Sequence, residues 1–115
     1  MPEHGDIRSG LSNTLVALMK EHWGKGPESA KSFLNDEYVM VVLEGGLTRN
    51  EETLLAAGEE RLVRDYRLRF QRAVEAEFTG AVERITGRTV LTYHSQIVFD
   101  PPRSFELFVL DQPVA

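Results

Sequence analysis

A pattern that occurs twice constrains the fold of this chain most strongly. Each half contains a helix-like segment, then a junction in which glycine precedes a basic residue, then two strand-like segments. The two junctions are Gly24-Lys25 and Gly87-Arg88. Two such α-β-β units predict an α+β fold with two layers, in which helices cover one face of a four-stranded, largely antiparallel sheet. With a small helix between the units, the expected order is α-β-β-α-α-β-β, which suggests a duplicated α-β-β unit.

The first half is a helix followed by a hairpin. Residues 6–23 are predicted to be helical because apolar side chains recur there at spacings of three and four. Residues 30–34 and 38–44 are predicted to be strands, and the second of them, YVMVVLE, is a β-branched run that suits a well-covered strand. Asn35-Asp36 favours a turn, so the two strands are expected to pair.

The second half begins with a short helix and continues into a long one. Thr48 followed by Glu51 is a capping box, which marks a helix start. Gly58 is expected to end this helix in the left-handed conformation. One continuous helix is then predicted over residues 59–85. Its expected apolar stripe contains Leu62, Val63, Tyr66, Phe70, Ala73, Val74, Phe78, Ala81 and Ile85. The last two strands are predicted over residues 89–99 and 104–110.

Composition restricts the class of protein. The 115 residues have the length of one ordinary domain, so we expect a single domain over residues 1–115. The chain contains no cysteine, which excludes disulfides and thiolate metal sites and fits a reducing cytoplasm. No apolar stretch approaches the roughly 18 residues of a membrane span, and the start does not resemble a signal peptide. The net charge of −5 argues against nucleic-acid binding. We expect a cytoplasmic protein without direct membrane insertion.

The junction GKGP, residues 24–27, resembles part of a phosphate-binding loop. Such a loop continues as Gly-Lys-Ser/Thr into a helix that follows a strand. Here Pro27 removes a backbone N–H, and the predicted order is helix to strand. We therefore interpret Gly24, Gly26 and Pro27 as a helix stop. Lys25 and Arg88 still follow glycines at both junctions, which leaves open that they contact an anion or a partner.

The predicted long helix is rich in arginine. At about 100° per residue, four arginines fall opposite the apolar stripe. They are Arg61, Arg64, Arg69 and Arg72. One interpretation is a solvated face with ion pairs along the helix. The other is a docking face for an acidic partner or an anion.

Several residues are candidates for an interface. By the same angular count, Glu77 falls inside the apolar stripe, where a carboxylate must be paired, exposed or at an interface. If helices cover one face of the sheet only, the other face retains apolar side chains that a second copy or a partner would cover. We therefore expect a homodimer, formed through the sheet or the long helix. The candidate interface residues are Glu77, Tyr93, Phe99 and Phe108.

No catalytic or metal-binding motif stands out. The histidines lack the short spacings of metal ligands, so we expect no metal or other cofactor. His94 and Ser95 are adjacent on a strand and point to opposite faces, so they cannot form a nucleophile–base pair with each other. If the chain is an enzyme of unrecognised type, Glu77, Tyr93 and His94 are its plausible acid–base groups.

The order of short motifs resembles the MpsC-like, or YbcI-like, family. The resemblance rests on GKGPESAKSFLNDEYVMVVLEGGLTRNEETLL, residues 24–55, and ERITGRTVLTYHSQI, residues 83–97. It covers about residues 6–111. The resemblance implies association with a sodium-translocating, membrane-potential-generating system that is also linked to inorganic-carbon uptake. It implies no set of catalytic residues.

Three functional hypotheses follow. The first is a non-enzymatic accessory or regulatory protein of such a membrane system, dimeric and acting by docking to a membrane-complex partner. The second is a dimeric module that senses a small anion near Lys25, Arg88 or the helix arginines. The third is an enzyme of unrecognised type.

Overall fold

A computed structural model describes residues 3–114 and confirms the α+β fold with an antiparallel sheet. In these residues the helices are α1 (His4–Trp23), α2 (Arg49–Ala56), α3 (Glu60–Ala73) and α4 (Glu75–Thr86). The strands are β1 (Ser29–Asn35), β2 (Tyr38–Glu44), β3 (Val90–Phe99) and β4 (Pro102–Leu110). The sheet order is β1-β2-β4-β3, and all neighbouring strands are antiparallel.

The sheet is symmetric in its two hairpins. The second strand of each hairpin, β2 or β4, lies in the centre, and the first strand lies at an edge. α1 precedes one hairpin and α4 precedes the other, and these two helices pack against each other. This arrangement agrees with two α-β-β units related by an approximate two-fold axis.

Local signals set most of the helix ends. Gly24 ends α1 in the left-handed conformation with φ 79°, and its N–H donates to the Lys20 carbonyl. The Thr48–Glu51 capping box is present, since each side chain accepts a hydrogen bond from the other residue's backbone N–H. Gly58 adopts φ 84° after α2, as expected. These positions agree with the residues' intrinsic preferences.

The predicted long helix is two helices instead of one. α3 ends at Ala73 and α4 begins at Glu75, because Val74 leaves the helical conformation with φ −108° and ψ 9°. The break changes the direction that later side chains face, so an angular count made across it fails. Glu77 is therefore exposed, rather than part of an apolar stripe.

The core lies between one face of the sheet and the helices. Its centre contains α1, β2, β4 and α4 side chains, among them Leu11, Leu15, Val39, Val41, Phe78, Val82, Phe108 and Leu110. All of these are less than 2% exposed. Within residues 3–114, none of the helices has both the length and the hydropathy that a membrane span requires.

Candidate functional site

α3 exposes apolar side chains and buries polar ones. Leu62 and Tyr66 are each 51% exposed, although the sequence predicted them in the buried stripe. Arg67 and Gln71 are buried instead, together with Val63. The predicted stripe is therefore right for Val63 and for Phe70, which packs against the core, and wrong for Leu62 and Tyr66. The polar line at a spacing of four residues, Arg67 and Gln71, faces inward beside Val63.

A buried ion pair between α3 and the start of α2 accounts for this orientation. Arg67 donates from Nε to Glu51 Oε2 at 2.5 Å and from Nη2 to Glu51 Oε1 at 2.7 Å. Nη2 also donates to the Gly46 carbonyl at 2.8 Å, and the guanidinium lies 5.3 Å from the centre of the Trp23 ring. Turning α3 to bury Leu62 would move Arg67 outward and leave the Glu51 carboxylate buried without a counter-charge.

The ionisation of Glu51 depends on this pair. Burial by itself raises the pKa of Glu51, but Arg67 and the Thr48 hydrogen bonds outweigh that effect and hold the pKa below its ordinary value of 4.5. The carboxylate therefore stays ionised at neutral pH. Its contribution to stability is present above the unfolded pKa and is lost as the pH falls through the lowered folded pKa.

The outward face of α3 combines apolar and basic groups. Leu62, Tyr66 and Ala73 are exposed on it, as is Arg69. Arg61 and Arg72 lie beside this face and are also exposed. We call these six residues the α3 outer face. Among the predicted arginines, Arg64 differs: it forms an ion pair with Glu60 at 3.8 Å and covers the Phe99 ring at 5.3 Å.

A second polar network lies below α3, in the sheet. Glu106 is fully buried and accepts hydrogen bonds from Tyr93 Oη at 2.9 Å and from Ser104 Oγ at 2.8 Å. Gln71 Nε2 donates to Tyr93 Oη. Burial raises the pKa of Glu106, and the hydrogen-bond donors and the charge of Arg67 offset this only in part. Burial and the neighbouring Glu106 also raise the pKa of Tyr93.

We expect Glu106 to make stability depend on pH. A carboxyl group whose folded pKa is raised contributes stability below its unfolded pKa, and that contribution is lost as the pH rises through the folded pKa. The free energy of unfolding should therefore fall above pH 4.5 by up to about 1.4 kcal/mol per pH unit. Glu106→Gln keeps an acceptor for Tyr93 and offers Ser104 Oγ a donor in place of an acceptor, and it cannot ionise, so it should flatten this dependence.

Denaturant titrations between pH 5 and pH 8 check this prediction. Glu52→Gln is the control because Glu52 is an exposed glutamate. The stability of this variant should keep the pH dependence of the wild type. Identical pH profiles for wild type and Glu106→Gln would show that Glu106 does not titrate in this way.

The network borders a surface groove of about 360 Å³ between α3 and β3. Gln71 and Arg72 form one wall, and Tyr93, His94 and Ser95 form the other. Tyr93 and Ser95 face the helices, whereas His94 lies on the alternate side of the strand. The candidate acid–base groups Tyr93 and His94 are therefore not directed at one point. Glu77 lies on α4 and does not line this groove.

The two basic residues at the glycine junctions have different surroundings. Lys25 is exposed and borders a shallow depression with Arg49 and Glu52 on α2. Arg88 donates from Nε to the Pro113 carbonyl at 2.8 Å. GKGP has no helix N-terminus after it, since β1 follows, so it is a helix stop as interpreted above.

Glu77 joins α4 to the end of α1. Its Oε2 lies 2.7 Å from His22 Nε2, and the Glu77 side chain is 53% exposed. The His22 ring also makes an edge contact with Phe70. Glu21, His22 and Glu77 each place one possible ligand atom within 4.8 Å of the others, which makes this the cluster in the described residues that could hold a metal ion.

The register of β4 corrects the expected interface. Phe108 is fully buried and stacks with Tyr93 at 4.6 Å between ring centres, so both face the helices. Ser104 and Glu106 share that side, which turns Phe105 and Leu107 away from the helices.

The opposite side of the sheet carries apolar residues outside the core. It contains Phe33, Tyr38, Met40, Val42, Val98, Phe105, Leu107 and Val109. We call these eight residues the open face. None of them belongs to the core cluster or packs against it. The sequence predicted such a face, but Tyr93, Phe99 and Phe108 were assigned to it. The alternation of side chains along β4 was the sequence signal that could have separated its buried side from its open side.

Comparison with known proteins identifies a family. A family model described as Na+-translocating membrane potential-generating system (MpsC) matches residues 3–112. Nothing matches among curated proteins or solved structures.

Proposed function

Since the chain belongs to the MpsC family of the Na+-translocating membrane potential-generating system, we propose that it is a cytoplasmic, non-enzymatic accessory protein of such a system. It acts by docking to a membrane component. The observation that supports docking is the α3 outer face, where Leu62 and Tyr66 are half exposed while Arg67 and Gln71 are buried. An apolar helix surface of this kind is typical of a protein–protein contact.

The chemistry of the α3 outer face indicates the kind of partner. Leu62, Tyr66 and Ala73 form an apolar line along the helix, which fits a helix-in-groove contact. Arg69 lies on this line and Arg61 and Arg72 lie beside it, so the face stays net positive although the exposed Asp65 also lies beside the line. The complementary surface is an apolar groove with an acidic rim, on the cytoplasmic side of the membrane component. Charge complementarity of this kind steers association and weakens with salt.

The two alternative functions have less support. An enzyme would need converging acid–base groups, but Tyr93 and His94 lie on opposite sides of β3, and Glu106 already accepts two hydrogen bonds. An anion sensor at the glycine junctions would need free cations in an enclosed site, but Arg88 is held by the Pro113 carbonyl, and the depression beside Lys25 and Arg49 is shallow and also carries Glu52. We propose in addition that the accessory protein is a homodimer.

Co-sedimentation with membrane vesicles tests the docking proposal. Inverted vesicles from cells that express the sodium-translocating system should bind the protein, and matched vesicles from cells without the system should not. Raising the salt from 50 to 500 mM should weaken binding because the arginines contribute by charge. Equal sedimentation with both kinds of vesicle would contradict the proposal.

A further inference from the structure

The open face is a continuous apolar surface with polar residues at its perimeter. Its centre is formed by the cross-strand pairs Met40–Leu107 and Val42–Phe105 of β2 and β4. Charged side chains on the same side of the sheet lie at the margins. They are Lys31 on the edge strand β1, and Glu44 and Arg103 at the ends of the central strands. An apolar centre inside a polar rim is the usual anatomy of a protein interface.

The size of the open face suits a dimer of small subunits. Seven residues of β2 extend for about 24 Å, and four strands span about 19 Å, so the flat projection of this whole side of the sheet, polar margins included, is about 450 Å². Side-chain relief makes the accessible area larger than this projection. A standard interface buries about 800 Å² on each partner. Covering this whole side of the sheet, polar margins and side-chain relief included, therefore approaches the lower end of the area that a stable interface buries.

The chemistry of this surface favours a second copy over a different partner. A two-fold interface requires a surface that is complementary to itself. The centre of the open face has no charged side chain, so two copies do not repel there despite a net charge of −5 each. At the rim, Glu44 pairs across strands with Arg103, which leaves both signs available to an identical surface. Large side chains such as Phe105 alternate with small ones such as Val42, which allows interdigitation.

We infer that two copies of this chain pack their open faces together, with the sheets about 10 Å apart, into a four-layer homodimer. This inference rests on the homodimer of the proposed function and assigns its surface. It leaves α3 exposed on both outer sides. The dimer thus presents two α3 outer faces, one on each side, for docking.

Light scattering coupled to size-exclusion chromatography tests the inference. Wild type at 10–100 µM should have twice the 13.0 kDa mass of one chain. Leu107→Lys places a charge in the centre of the interface and should raise the dissociation constant at least about 100-fold. Leu62→Lys, the same substitution on α3, should leave the dimer intact. A monomeric wild type, or a Leu107→Lys variant that remains dimeric, would overturn the inference.

Two further measurements guard against misfolding of the lysine variant. Mixing Leu107→Lys with Leu107→Glu should restore a dimer, because a positive charge in the centre of one open face then faces a negative charge in the centre of the other. Since the chain has no cysteine, Met40→Cys provides a single, conservative thiol on the open face. Its alkylation should slow at least tenfold as the concentration rises through the dimer range, whereas Leu62→Cys should react at a constant rate. If Met40→Cys and Leu62→Cys were alkylated at equal rates that do not change with protein concentration, the open face would not be the dimer interface.

Failure of this inference differs from failure of the docking proposal. Loss of dimerisation in Leu107→Lys is measured without membranes, whereas vesicle binding is proposed to depend on the α3 outer face. A monomer that still binds vesicles would overturn the homodimer and its open-face interface but support the docking proposal. A dimer that does not bind vesicles would support the homodimer and contradict the docking proposal.

Discussion

Replacing Arg67 with methionine is expected to lower the free energy of unfolding by about 3–5 kcal/mol. The substitution keeps a long, unbranched side chain but removes the charge that compensates Glu51. Both partners are buried, and two hydrogen bonds between them are lost together with the one to the Gly46 carbonyl. Urea titrations followed by the single tryptophan, Trp23, measure the change next to the substitution.

Arg64→Met is the matched control for this prediction. Arg64 lies three residues before Arg67 on the same helix. Its ion pair with Glu60, at 3.8 Å, is partly exposed. Losing this pair should therefore lower the free energy of unfolding by less than about 1 kcal/mol. The double variant Glu51→Gln/Arg67→Met removes both charges and keeps the capping residue, so it should recover part of the lost stability. A loss below about 1 kcal/mol for Arg67→Met would contradict the proposed cause of the α3 orientation.

Phe108→Ala is expected to lower the free energy of unfolding by a similar amount, about 3–5 kcal/mol. Phe108 is fully buried between the sheet and the helices and stacks on Tyr93, so truncation leaves a cavity. The result also separates a core residue from the interface residue that the sequence suggested. Thermal and urea unfolding at fixed protein concentration measure the effect.

Leu91→Ala is the control, a truncation at a position on β3 that is 66% exposed and lies outside the open face. Its cost should be below about 1 kcal/mol because little packing is lost. A loss for Phe108→Ala as small as that for Leu91→Ala would mean that the assigned orientation of β4 is incorrect.

The parts of the fold that the sequence predicted correctly depend on neighbouring residues. The capping box needs only Thr48 and Glu51, three residues apart. Gly24 and Gly87 end helices because glycine adopts the left-handed conformation readily, and both do so here. YVMVVLE forms β2 over the predicted residues because β-branched side chains suit a covered strand.

The parts of the fold that the sequence predicted incorrectly depend on contacts between residues that are distant in the chain. The rotation of α3 is set by Arg67 reaching Glu51, sixteen residues away, and no local count contains that pairing. The break at Val74 has no glycine or proline to signal it. Angular counting therefore placed Leu62 and Tyr66 inside. Because the count was carried across the break at Val74, it also placed Glu77 in the same stripe.

The two misjudged elements share a property. On α3 and on β4 the polar side chains point inward, because Arg67 and Glu106 find partners there. Each element then turns apolar side chains outward, Leu62 on α3 and Leu107 on β4. Leaving a buried polar group without a partner costs more free energy than exposing a leucine side chain does. In our proposal the helix surface meets a membrane component and the sheet surface meets a second copy.

Vesicle binding by an α3 variant is the measurement that tests this account most directly. In Leu62→Ala/Tyr66→Ala the two large apolar side chains of the α3 outer face are truncated, and Leu91→Ala truncates one that is 66% exposed on β3. We predict at least a tenfold weaker affinity of the α3 variant for vesicles with the sodium-translocating system, an unchanged dimer mass, and wild-type affinity for Leu91→Ala. Wild-type affinity of the α3 variant would contradict the assignment of this helix as the docking surface.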